Sequence, residues 1–268
     1  MSIIDAIILG LVEGLTEFLP VSSTGHLILT QSLLGLQGNA IESELIIIQA
    51  AAILAVCWEF RQRLFHTALS LHSEPASRRL VMNLLIAFLP AAILGLIFEK
   101  QIKAVLFKPI PVALALVIGG LIILWAERRR HVERAQNIDQ VTPVDAAKIG
   151  VIQALALIPG TSRSGATIIG GLFSGLSRRT AAEFSFLLAI PVIFAAAGYE
   201  LWKARADLAV SDISSLVVSS VVSFASALVA VKFLLRYVSK HSFAAFAWYR
   251  ILFGGVILAT AWTGLVRW

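Results

Sequence analysis

The chain has little of what builds a soluble or covalently stapled protein. Only 14% of its 268 residues are charged, against 58% hydrophobic, which excludes an ordinary water-soluble domain and leaves an integral membrane protein. A single cysteine, Cys57, excludes an internal disulfide and any cysteine-based metal cage; its apolar surroundings read as an inert core thiol. No GxxxxGK[ST] loop and no HExxH pair occurs, so ATP-driven transport and zinc hydrolysis lack sequence support. The first residues carry no basic region followed by a cleavage site, so the opening segment is expected to stay in the mature protein. The net charge of +6 would point to nucleic acid in a soluble protein, but here the basic residues gather at the ends of apolar runs, where topology accounts for them.

What is present is apolar length, twice over. After an opening run from Ile3 to Leu36 come apolar segments at 44–60, 80–98 and 111–126, each near the ~20 residues that span a bilayer. A polar linker over 127–148 carries Arg128, Arg129, Arg130 and Arg134, and the pattern restarts at 149–176, 183–202, 214–235 and 243–266. The restart reads as a copy. Gly10-Leu-Val-Glu13 and Pro20-Val-Ser-Ser-Thr-Gly25 align with Gly150-Val-Ile-Gln153 and Pro159-Gly-Thr-Ser-Arg-Ser-Gly165 at an offset of 139 or 140. Glu44 aligns with Glu183, and the pair Gly119-Gly120 with Gly254-Gly255 at 135. We therefore expect one membrane domain over 1–268 made of two repeats, about 1–127 and 143–268, joined by a linker at 128–142.

The first segment of each copy is broken near its middle, by Pro20 and Gly25 in one and by Pro159, Gly160 and Gly165 in the other. Proline removes a backbone donor and clashes with the preceding turn, and non-helical backbone at membrane depth is tolerated only under protein or beside a wet cavity. The reading is an all-α polytopic membrane protein in which each repeat is a re-entrant helical hairpin followed by three transmembrane helices. Three spans per repeat invert the second copy, so that the hairpin tips meet near the midplane. Connectors at 61–80, 127–148, 178–179 and 236–240 hold 13 Lys and Arg, against 6 on the other side. The richer side is expected to be cytoplasmic, which opens the first hairpin to the outer face.

Polar side chains at membrane depth need a function. Glu13 and Glu17, one turn apart, share a helix face; two such carboxylates do not both ionise cheaply, so a proton, a metal or a general-base role is open to them. Ser22, Ser23 and Thr24 stand where a half-helix begins, which suits a cap and a phosphate. His26, three residues after Ser23, could take a proton from a serine or be phosphorylated itself. In the second copy, Pro159-Gly-Thr-Ser162-Arg163-Ser164-Gly-Ala-Thr167 places a guanidinium at the tip of a hydroxyl-rich loop, the fork that grips phosphate oxygens. Its resting partner is expected to be Glu13 or Glu17. Arg250 is left without a role.

Together, Glu13-Gly-Leu-Thr-Glu17-Phe-Leu-Pro-Val-Ser-Ser-Thr-Gly-His26 and Pro159-Gly-Thr-Ser-Arg-Ser-Gly-Ala-Thr167 closely resemble the bacterial undecaprenyl-diphosphate phosphatase family, the bacitracin-resistance proteins, and the likeness extends through Glu183-Phe-Ser-Phe-Leu-Leu-Ala-Ile-Pro191. The resemblance implies an inner-membrane hydrolase that removes the terminal phosphate of undecaprenyl diphosphate and so recycles the lipid carrier of peptidoglycan synthesis. It implies an acidic pair Glu13 and Glu17, a nucleophile at Ser23 with His26 beside it, and phosphate binding by Ser22, Thr24, Ser162, Arg163, Ser164 and Thr167. A divalent cation, Mg²⁺ or Ca²⁺, fits the two carboxylates. On this reading Ser23 attacks while His26, oriented by Glu17, accepts its proton, with His26 as the competing nucleophile. The partners are the polyprenyl diphosphate and membrane lipid; no nucleic acid is involved, and a homodimer is compatible. The other class of function is a lipid-phosphate transporter or flippase using the same midplane site.

Overall fold

The computed structural model describes residues 1–129, 132–203, 205 and 213–264, without the side chains at 39, 40 and 103. Arg130, most of the 204–212 connector and the last four residues lie outside that description. Among the described residues every regular element is helical, and the one β-bridge, Ala135 to Leu176, ties the linker to the second half.

A hairpin followed by three long helices occurs twice, with one short extra helix in the first half. Helix α1 (Ile3–Glu17) and α2 (Ser23–Leu34) form a hairpin, followed by α3 (Asn39–Glu59), a short α4 (Arg61–Leu69), α5 (Pro75–Leu106) and α6 (Pro109–Arg128). Then α7 (Pro143–Gln153), a 3-10 turn (Ala154–Leu157) and α8 (Arg163–Phe173) form a second hairpin, followed by α9 (Arg178–Lys203), α10 (Ile213–Val238) and α11 (Ala244–Thr263). Among the described residues six helices are long and apolar enough to cross a membrane: Ile41–Glu59, Pro75–Ile102, Pro109–Arg128, Arg178–Lys203, Ile213–Val238 and Ala244–Thr263. The hairpin arms, at 15, 12, 11 and 11 residues, are shorter than the ~20 that a span requires. The protein is multi-pass, and its outer surface shows it: Leu85, Leu89, Ile93, Leu96, Ile97, Trp125 and Trp248 are all exposed, an arrangement suited to lipid and not to water.

Local chemistry starts each hairpin the same way. Ser2 and Asp5 form a reciprocal capping box on α1, and Thr142 and Asp145, 140 residues later, form one on α7, satisfying backbone donors that would otherwise be orphaned. Close helix packing then seats the first arm of each hairpin in the opposite half. Gly10 and Gly14 of α1 lie against the backbone of α10, where a Cβ on Gly10 would stand 2.5 Å from the Ser219 carbonyl oxygen. Gly150 of α7 lies against α5, with 2.7 Å left between a Cβ and the Ala87 carbonyl oxygen. In membranes, where lipid is as apolar as leucine, such small residues let backbones approach and supply the packing that holds helices together.

Helices α6 and α11 also pack reciprocally. Gly120 faces the Ala247 carbonyl and Gly254 faces the Ala113 carbonyl. The two contacts are related by an offset of 134, beside the 135 at which the Gly-Gly pairs align in sequence. The pairs read as interchangeable in sequence because both are Gly-Gly; which member faces the partner is set by helix rotation.

Candidate active site

The two hairpin turns meet around a cavity of about 170 Å³. From the first hairpin Glu17, Ser22, Ser23 and Thr24 line it; from the second come Ala156, Ile158, Pro159, Gly160, Ser162 and Arg163; α3 adds Gln49. Each turn is built on one unusual residue. Ser22 has φ 71° and Ser162 has φ 72°, the only non-glycine residues with positive φ among those described. This left-handed region is uncommon for a residue with a Cβ, costs on the order of 1–3 kcal/mol, and recurs where function demands it. Each strained serine immediately precedes a new helix, so the unpaired N–H groups of α2 and α8 begin at the turns.

Glu17 is the hub. The Ser23 hydroxyl donates to its Oε2 at 2.5 Å, and Arg163 Nη2 donates to its Oε1 at 3.2 Å. One carboxylate thus joins the nucleophile candidate of one hairpin to the cation of the other, with Glu17 only 7% exposed. Arg163 Nη1 donates to the Ser185 carbonyl at 3.0 Å, which fixes the plane of the guanidinium, while its buried Nε has no partner. Of the two resting partners expected for Arg163, Glu17 is the one it takes.

The expected Ser23–His26–Glu17 relay is not formed. His26 Nδ1 lies 2.7 Å from the Ser22 carbonyl oxygen and Nε2 lies 2.7 Å from the Tyr249 hydroxyl. A carbonyl only accepts, so Nδ1 carries the hydrogen; in the neutral ring Nε2 then accepts from Tyr249. The imidazole stacks on Phe253 at 4.0 Å between centroids. The physical reason is helical geometry: four residues after Ser22, the ring falls back onto that residue's carbonyl, and α11 supplies its other partner. His26 therefore holds the peptide that precedes Ser23, and Glu17 holds Ser23 itself.

Two of the expected phosphate ligands also have other employment. The fully buried Ser164 hydroxyl donates to the Leu19 carbonyl at 2.8 Å. Thr167 Oγ1 donates within its own turn of α8 and lies 2.6 Å from Ser185 Oγ. Both hydroxyls tie the hairpins to their neighbours and are absent from the cavity wall. Ser162 does line the cavity; its hydroxyl accepts from Gly165 N at 3.1 Å as the cap of α8.

Glu13 is 1% exposed and neither of its carboxylate oxygens has a partner. An isolated carboxylate in such a place costs several kcal/mol unless it takes a proton or a cation. Glu17 is the one carboxylate on the cavity wall, with Glu13 one turn behind it on α1, so a divalent ion there, Mg²⁺ or Ca²⁺, would take most of its oxygen ligands from substrate phosphate and water. Among the described residues no group of three or more His, Cys, Asp or Glu stands together.

Several residues of the site carried little or no signal in the sequence. Tyr249 and Phe253 sit in an apolar helix like any aromatic pair, Ser185 acts through its backbone, and Gln49 lies in a run of isoleucine and alanine. A polar residue in an apolar span was the available clue for Gln49 and for Arg250.

The sequence of this chain is similar to known proteins along its whole length. A family model described as bacitracin resistance protein BacA matches residues 6–256. Undecaprenyl-diphosphatase 2 of Rhodospirillum rubrum is 62% identical over 268 residues, covering 99% of this chain and 97% of the relative. The undecaprenyl-diphosphatases of Nitrosospira multiformis and Nitrosomonas europaea are 58% and 56% identical over 266 residues, with the same coverage.

Proposed function

The chain belongs to the family of bacitracin resistance protein BacA, and we propose that it hydrolyses undecaprenyl diphosphate to undecaprenyl phosphate and inorganic phosphate in the cavity between its two hairpins. It is a membrane phosphatase whose substrate is a lipid, and the product is the carrier on which envelope polymers are assembled. The observation that carries the site assignment is the single carboxylate of Glu17 bonded at once to Ser23 Oγ and to Arg163.

In the first step the Ser23 oxygen attacks the distal phosphorus and its proton passes to Glu17, 2.5 Å away. The bond to the bridging oxygen breaks, and undecaprenyl phosphate leaves with the electron pair. Protonation of Glu17 removes the charge that held Arg163. The guanidinium, steadied on the Ser185 carbonyl and with Nε unpartnered, is then available to the transferring oxygens, beside the N–H groups that open α2 and α8. In the second step water attacks the phosphorus and the bond from phosphorus to Ser23 Oγ breaks; Glu17 gives its proton to the departing serine oxygen and the protons of the water leave on the product phosphate, which restores the hydroxyl and the carboxylate. His26 positions the Ser22–Ser23 peptide and is not the base. Glu13 and Glu17 are the residues that would hold a divalent ion, Mg²⁺ or Ca²⁺, which would neutralise charge on the diphosphate.

The protein is placed in the inner membrane, with the second half inverted relative to the first and the cavity opening to the periplasm, on the strength of the asymmetry in basic residues between the two sets of connectors. A cysteine introduced at Lys203 should then react with an impermeant reagent added outside intact cells; protection of that cysteine overturns the orientation.

The activity is tested by phosphate release from undecaprenyl diphosphate by purified protein, with and without a chelator, followed by acid quench and mass analysis of the peptide holding Ser23. Phosphoserine at position 23 is expected, accumulating when Glu17 is replaced by Gln only if the second step is the slower to suffer. Phosphohistidine at His26 would transfer the nucleophile assignment to that residue, and release unaffected by chelation would remove the ion from the reaction.

A further inference from the structure

Arg250, in the middle of α11, is 0% exposed and the largest fully buried side chain among the described residues. It meets no carboxylate among the described residues. Its Nη1 donates to the Pro20 carbonyl at 3.2 Å, Nη2 to the Gly160 carbonyl at 3.1 Å and to the Ala115 carbonyl at 3.2 Å, and Nε to the Leu116 carbonyl at 3.3 Å. Pro20 and Gly160 are equivalent positions, each two residues ahead of the left-handed serine of its own hairpin turn. One guanidinium therefore grips the same carbonyl of both turns, while two further bonds fasten it to α6. The socket is carved by glycine: a Cβ on Gly165 would stand 3.1 Å from Nη1, and one on Gly119 would overlap Nη2.

A buried cation with only carbonyl dipoles for company is costly, and packing alone would be served as well by an apolar side chain. What the fork supplies that methionine or leucine would not is a fixed distance between two separate loops. We propose that Arg250 is a positioning residue for phosphoryl transfer: it sets the turn bearing Ser23 and the turn bearing Arg163 in one register so that both converge on a single phosphate. It touches neither the cavity nor the substrate and acts through the backbone at Ser22 and Ser162, whose strained φ it stabilises by holding the preceding carbonyls. This rests on the assignment of Ser23 and Arg163 to the reaction.

The test compares Arg250→Met, Arg250→Lys and Arg163→Ala, singly and as the pair Arg250→Met with Arg163→Ala, in purified full-length protein, reading kcat, KM and thermal unfolding. Displacement of catalytic groups by an ångström costs about 100-fold, so Arg250→Met is expected to lower kcat by about that factor with KM for the lipid changed less than about threefold. The pair is expected to be little worse than Arg163→Ala alone, because a clamp already out of register has little left to lose. A folded Arg250→Met protein with near-normal kcat, or losses that multiply in the pair, would overturn the proposal. If Arg250→Met does not fold, Arg250→Lys decides: a kcat loss of about tenfold or more at unchanged KM supports positioning, and a kcat near that of the natural protein sinks it. Activity surviving Arg163→Ala would instead sink the clamp itself.

Discussion

The two hairpins are the same device carrying different chemistry. At an offset of 140, capping boxes match (Ser2 and Asp5 with Thr142 and Asp145), left-handed serines match (Ser22 with Ser162), and the carbonyls held by Arg250 match (Pro20 with Gly160). The next position carries Ser23 in one and Arg163 in the other; Glu13 is answered by Gln153, and His26 by Ala166. Both Glu13 and Gln153 are buried with an unpartnered side-chain oxygen. The frame is thus duplicated and the payload divided. In the proposed mechanism one hairpin supplies the attacking oxygen and its base and the other supplies a cation, which a single turn could not do without placing the arginine beside the serine it must face across the phosphate.

The sharpest way to break that comparison is to remove the payloads. Ser23→Ala and Arg163→Ala are each expected to lower phosphate release by about 1000-fold or more. They should differ in kind, since only Ser23→Ala abolishes the trapped phosphoenzyme; equal trapping in both would show that the turns do not divide the work. Next comes the proton. Glu17→Gln is expected to cost between about 100- and 10,000-fold in kcat, more than His26→Gln, which should act as a loosened brace. The reverse order, or loss of the acidic limb of the pH–rate profile in His26→Gln, would return the base role to the histidine.

Smaller effects test the frame. Gly14→Ala drives a methyl into Ser226 and Ser223 of α10, and Gly150→Ala drives one against Ala87 of α5. Each should destabilise by about 1–3 kcal/mol, read as a lowered unfolding temperature in detergent, with the Gly14 change the larger because its socket is tighter.

The smallest effect separates the two capping boxes. Asp5 is only partly buried, whereas Asp145 is buried and also paired with Arg134. Burial pushes the Asp145 carboxyl up, but the hydrogen bonds from Thr142 and the ion pair with Arg134 overcome it and hold the group below its usual range. A lowered value means stability that is present above the unfolded-state pKa and lost as pH falls through the folded one. Asp145→Asn should therefore cost about 1 kcal/mol near neutrality, more than Asp5→Asn, and the cost should fade below about pH 4. A cost independent of pH would assign it to packing instead.

Much of this was legible in the residues. The apolar runs gave the six spans because membrane length and composition leave few alternatives, and the prolines and glycines at 20, 25, 159, 160 and 165 marked the breaks. The pairing of Arg163 with an acidic residue of the first hairpin followed from the cost of a lone buried charge. The partners of His26 were not legible, because proximity in sequence to Ser23 says nothing about the direction of a ring on a helix, and Tyr249, which it meets, lies 223 residues away. Ser164 and Thr167 looked like phosphate ligands because hydroxyls in a glycine-flanked loop satisfy a phosphate and a neighbouring helix equally well. Arg250 stood out as a charge in an apolar span but could be given no role, since its four acceptors are backbone carbonyls that every residue possesses.

By itself, then, the sequence determined an all-helical membrane protein, two broken segments in matching places and a set of polar groups that hydrocarbon would not tolerate without a task. Those follow from local preference and from the price of polarity in lipid, both of which are written residue by residue. Only the tertiary structure decided which oxygen Ser23 gives its hydrogen to, which hydroxyls face the cavity, and that one arginine spans both turns. Those depend on helix rotation and on close approach between segments more than a hundred residues apart, and neither is encoded at any single position.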